Sequence, residues 1–99
     1  MLLLFAPALL GCRQRAAVAR GRALFGEQCA TCHRTDNLHT QRGPGLGGLF
    51  RRPALGVNGK DMSEENVREV IRRGVQRMPP FEKLPSRQMD DLLAYLKTL

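Results

Sequence analysis

Apolar side chains recur at helical spacing in three stretches of this chain. The first runs from Ala16 to about Cys32, where Val18, Gly21, Leu24, Phe25, Gln28 and Cys29 lie close to an i, i+3, i+4 stripe. The second opens at Ser63, a helix-capping residue, and Glu64 and Glu65 follow it at the positive end of the helix dipole. Its stripe is Val67, Val70 and Ile71, and it closes with Arg72, Arg73 and Gly74, the last a helix stop. The third follows Pro85, with Ser86 as N-cap and Met89, Leu92, Leu93, Leu96 and Leu99 as its buried stripe. Two irregular segments separate the helices: a Gly- and Pro-rich loop from His39 to Gly59, and Val75 to Leu84. No strand alternation, internal repeat or linker is visible. The pattern predicts one all-α domain whose long loops need something to organise them.

Ahead of the first helix, Met1 to Leu10 is almost wholly apolar and uncharged. At about ten residues it is too short to span a bilayer, which takes roughly 20. It fits the apolar region of an export signal. It ends in Leu9-Leu10-Gly11-Cys12, which resembles the bacterial lipobox, where Cys12 would be lipidated and become the new N-terminus. No Lys or Arg precedes the apolar stretch, so an ordinary signal or a structural helix stands as the alternative. The expected division is a signal segment over 1–11 and a functional domain over 12–99, exported to the periplasm and held at the membrane through Cys12.

Composition adds a need for stapling. The chain has 99 residues, no Trp, one Tyr, ten Gly and six Pro. So small a core usually requires a disulfide, a metal or a cofactor. Sixteen basic residues against nine acidic ones give a net charge of +7. The excess lies before Lys60, where eight arginines face only Glu27 and Asp36. Such asymmetry implies an electropositive face suited to an acidic protein, nucleic acid or anionic lipid.

The chemistry concentrates in Cys29-Ala30-Thr31-Cys32-His33. Two thiols three residues apart on a helical turn reach the two vinyl groups along one edge of a haem, and the following histidine reaches the iron. C-x-x-C also serves zinc and thiol redox sites. A zinc site wants two more Cys or His ligands, and only His39 and Cys12 remain. A thioredoxin-like site wants a βαβ setting, which is missing. Met78, inside the loop Gly74-Val75-Gln76-Arg77-Met78-Pro79-Pro80-Phe81, is placed to offer its sulfur as a sixth ligand. Met62 and Met89 read as core residues, and His39 as a surface loop residue.

Cys29 to His33, Gly43-Pro44-Gly45-Leu46 followed by Gly48-Leu49-Phe50-Arg51-Arg52, and Gly74 to Phe81 together resemble a class I cytochrome c, of the short bacterial monohaem type. The resemblance runs from about Arg20 to Leu99. It implies three to four helices wrapped round one covalent haem c, with the first and last helices crossing where Gly21, Phe25 and Tyr95 meet. It implies that the Pro44 carbonyl accepts a hydrogen bond from His33, and that Arg52 lies near a haem propionate. Arg51 stands where the family usually has glycine, leaving open which arginine reaches the propionate. It also implies one-electron transfer with redox proteins bearing an acidic docking face, by a free carrier or a subunit of a larger oxidoreductase. A catalytic haem protein would need an open sixth site, which Met78 argues against. A zinc-dependent nucleic-acid module lacks the ligands and the aromatic platform, so no nucleic-acid partner is expected.

Overall fold

The computed structural model describes residues 6–35 and 43–99, with side chains from residue 11 onward. His39 and the first five residues of the apolar segment lie outside that description. The described residues form three α-helices, α1 (Ala6–Gln28), α2 (Glu64–Arg73) and α3 (Ser86–Leu96), and one 3₁₀ turn, Leu49–Arg51, between the first two. Among the described residues the only extended pairings are two isolated bridges, Ala54 with Asp61 and Val75 with Met78.

Helix α1 differs from the sequence expectation at both ends. It starts ten residues before Ala16 and continues unbroken through Gly11 and Cys12. Ala, Leu, Arg and Gln are all good helix formers, and Pro7 falls in the first turn, where its missing N–H costs nothing. At the other end the Phe25 carbonyl accepts from both Cys29 N–H (2.8 Å) and Ala30 N–H (2.9 Å). The ladder widens there and the chain leaves the helix at Gln28. Cys29 to Cys32 then form a further turn, closed by His33 N–H donating to the Cys29 carbonyl at 3.0 Å.

Helix α2 begins and ends where local chemistry dictates. Ser63 is its N-cap, its hydroxyl accepting from Asn66 N–H at 3.0 Å, and Gly74 closes it with its N–H on the Val70 carbonyl. Helix α3 starts one residue earlier than its cap signal implied. The Pro85 carbonyl accepts from Met89 N–H at 2.9 Å, so Pro85 is the cap and Ser86 the first helical residue.

The core is a single cluster. Phe25 from α1, Leu49 and Leu55 from the loop, Val67 and Ile71 from α2, and Met89, Leu92, Leu93 and Leu96 from α3 are buried together. Burying each such side chain contributes about 1.5–3 kcal/mol. Met89 is fully buried, and Met62 is half-buried against the cluster. Helix α1 packs chiefly on α3. The two backbones close at Gly21, where a Cβ would land on the Asp91 carbonyl and within 2.8 Å of Tyr95 Cβ. Phe25 and Tyr95 stack beside it, ring centroids 5.4 Å apart and tilted by 54°. Arg20 adds a two-pronged ion pair to Asp91, Nε to Oδ2 at 2.9 Å and Nη2 to Oδ1 at 3.2 Å.

Candidate haem site

The turn after α1 presents Cys29 and Cys32 as free, half-buried thiols. Burial pushes the Cys29 thiol up to about 11, and the neighbouring Cys32 adds to the shift. Cys29 is therefore neutral at physiological pH, unlike the low-pKa thiolate of a C-x-x-C redox centre. Nor do these groups form a zinc cluster. Among the described residues, no three His, Cys, Asp or Glu side chains converge to hold a metal ion. Two thiols and an imidazole spread along one turn suit a broad planar group better than a single small ion.

His33 is oriented by a carbonyl. Its Nδ1 lies 2.7 Å from the oxygen of Pro44. That oxygen can only accept, so Nδ1 carries the proton and Nε2 keeps a free lone pair for a metal. The hydrogen bond also raises the basicity of the ring as a ligand. The segment holding Pro44 is pinned beside the turn: Gly43 N–H donates to the Cys32 carbonyl at 2.9 Å and Leu46 N–H to that of Arg34 at 2.7 Å. Gly43 lies against the imidazole itself, where a Cβ would come within 2.6 Å of Cε1. The glycine-proline turn is visible in sequence, but this contact depends on how the chain folds back and has no sequence signal.

Met78 sits in a tight loop. Val75 and Met78 exchange backbone hydrogen bonds, Met78 N–H to Val75 O at 2.8 Å and the reverse at 3.2 Å. Gln76 takes φ 50°, a left-handed value that costs a non-glycine residue about 1–2 kcal/mol. The loop is tied to α2 by Phe81 N–H, which donates to the Ile71 carbonyl at 2.9 Å. Met78 is half-buried and, like Leu46, Phe50, Val57, Met62 and Val70, packs against the core cluster. The two thiols, the carbonyl-oriented imidazole, the thioether and the apolar side chains packed on the core fit the donor set and apolar surroundings of a haem.

Arg52 is turned inward onto backbone. Its Nη2 donates to the carbonyls of Gly45 (2.9 Å) and Gly47 (2.7 Å). Arg51 is exposed, its guanidinium near Gly48. Cys12 is exposed on α1, well before the crossing with α3.

Fold and donor set define a c-type cytochrome with the all-α class I cytochrome c fold. A profile described as Cytochrome C oxidase, cbb3-type, subunit III matches residues 16–96, and the chain belongs to that family. It is also similar to a protein of Synechocystis sp. described as cytochrome c-553-like, with 35% identity over 80 residues, covering 81% of this chain and 67% of the relative. The protein carries one covalent haem c and belongs among electron carriers rather than enzymes.

Proposed function

We propose that this cytochrome passes single electrons between redox proteins in the bacterial periplasm or at its membrane surface. Cys29 and Cys32 tether the haem, His33 and Met78 ligate the iron, and Cys12 carries a lipid anchor. The observation that carries the reading is the 2.7 Å contact between His33 Nδ1 and the Pro44 oxygen, which leaves Nε2 for a metal. The bound haem supplies a one-electron ferric–ferrous couple. His33, made more basic by Pro44, favours the ferric form, while the Met78 thioether favours the ferrous form and raises the potential. With both ligands retained, the residues leave no site for substrate.

Docking falls to the surface beside the site. A groove of about 500 Å³, lined by Leu24, Gln28, Phe81, Lys83 and Leu84 among others, separates the end of α1 from the segment after Met78. Exposed Arg22 and Arg77, without ion pairs among the described residues, add positive charge that would speed encounter with an acidic partner. The family description also favours a place as a subunit of a larger oxidoreductase.

Haem should stay on the polypeptide through a denaturing gel, and Cys29→Ser with Cys32→Ser should release it; a wild-type band without haem peroxidase activity refutes the tether. Intact mass of the same sample should show a lipid on Cys12, and an unprocessed Met1 terminus refutes the anchor. Met78→Ala should lose the long-wavelength band that thioether ligation gives ferric haem, and its potential should fall. A spectrum identical to wild type removes Met78 from the ligand set.

A further inference from the structure

We propose that Arg52 is a positioning residue for the His33 ligand, acting through the peptide that carries the Pro44 oxygen. This inference rests on the reading of His33 as haem ligand. Gly45 is buried, and a buried carbonyl needs a partner. Arg52 supplies it, with one guanidinium nitrogen bridging Gly45 O at 2.9 Å and Gly47 O at 2.7 Å. Only the φ and ψ of Gly45 separate its carbonyl from the Pro44 carbonyl that receives the imidazole proton. Glycine leaves both torsions nearly free. A charged donor holding the Gly45 oxygen therefore limits the rotation of the neighbouring Pro44–Gly45 peptide.

The other side of the same segment is already fixed. Gly43 N–H and Leu46 N–H donate to the carbonyls of Cys32 and Arg34, the residues on either side of His33. Pro44 cannot donate, so its own peptide nitrogen adds nothing to this clamp. Arg52 adds a tie to the carbonyl of Gly45 within the same segment. Its backbone is anchored in turn, because its N–H donates to the Leu49 carbonyl at 3.2 Å at the end of the 3₁₀ turn. The 3₁₀ turn thereby reaches the iron ligand through three linked contacts: Arg52 to Gly45, Gly45 to Pro44, and Pro44 to His33.

The test uses the holoprotein and NMR of the His33 ring. In the wild type, the Nδ1–H signal should carry the paramagnetic shift of an iron ligand in the ferric state and should exchange slowly with solvent. A His33 ring without that shift overturns both the ligand reading and this inference. Arg52→Gln should speed Nδ1–H exchange about tenfold, the loss expected when a charge-assisted hydrogen bond is removed. The potential should rise, because a less basic imidazole stabilises ferric iron less. Arg52→Lys keeps the charge but replaces the rigid planar guanidinium with a freely rotating ammonium, and should fall between the two, about threefold faster. It also serves if the glutamine variant does not fold. Exchange unchanged in the folded variants, with a potential that shifts only as a new acid titration appears, would assign Arg52 to a haem carboxylate and overturn the positioning role.

Discussion

Gly21→Ala is expected to lower stability by about 2–3 kcal/mol, because the added methyl falls on the Asp91 carbonyl. The neighbour is main chain in the middle of α3, so it cannot turn aside as a side chain would. The helices must separate, and that loosens the Phe25–Tyr95 stack and the Arg20–Asp91 ion pair together. Alanine's better helix propensity returns about 0.5–1 kcal/mol and is outweighed. For a domain of this size each kcal/mol moves the melting temperature by about 4–8 °C. Gly26 provides the control in the same helix, since a Cβ there meets nothing within 4 Å. Gly26→Ala should leave the melting temperature unchanged or raise it. Equal melting temperatures for the two variants would show that the crossing is not closed at Gly21.

Gly74→Ala is expected to cost about 3–4 kcal/mol and to disturb the Met78 loop. Gly74 adopts φ 71° and ψ 163°, a conformation almost confined to glycine, and forcing another residue into it costs about 1–3 kcal/mol. A Cβ would in addition stand 2.6 Å from the Met78 oxygen, 2.8 Å from the Pro80 nitrogen and 3.0 Å from the Pro79 carbonyl carbon. All three are backbone atoms, and two belong to prolines whose φ is fixed. Relief requires moving the segment that presents Met78. The variant should therefore melt lower and weaken the sulfur-to-iron band in the ferric spectrum. If the band survives at full strength with a lowered melting temperature, the loop yields elsewhere and Gly74 does not position the thioether.

How far the fold was legible depended on the range of the interaction that sets each feature. Helix α2 could be placed from its own residues, since Ser63, the two glutamates and Gly74 act within one turn. The start of α1 could not, because its Ala-, Leu- and Arg-rich run is as helix-prone before Ala16 as after it. Its end depends on two amides sharing the Phe25 carbonyl, a detail without a residue signature. The cap of α3 was displaced by one residue because proline and serine both favour that boundary. At the site, the Cys29–His33 run declares itself by spacing alone. The bond from His33 to Pro44 joins residues eleven apart and was accessible only through the family resemblance. Arg52 shows the limit most clearly: the family resemblance offers it as a charge for a propionate and gives no sign of the bonds its guanidinium makes to backbone carbonyls five and seven residues away. Gly43 was readable as part of a turn, but not as the floor under an imidazole.

The crossing of α1 with α3 joins segments far apart in sequence, as the Arg20–Asp91 pair, separated by 71 positions, makes plain. A chain delivered N-terminus first exposes Cys29 and Cys32 long before Ser86 to Leu96 arrive to cover Phe25. Pairings this distant in sequence form late and slowly. The order of emergence thus leaves an interval in which both thiols lie on an unclosed polypeptide, accessible to the machinery of cofactor attachment. Closure over Phe25 waits for α3.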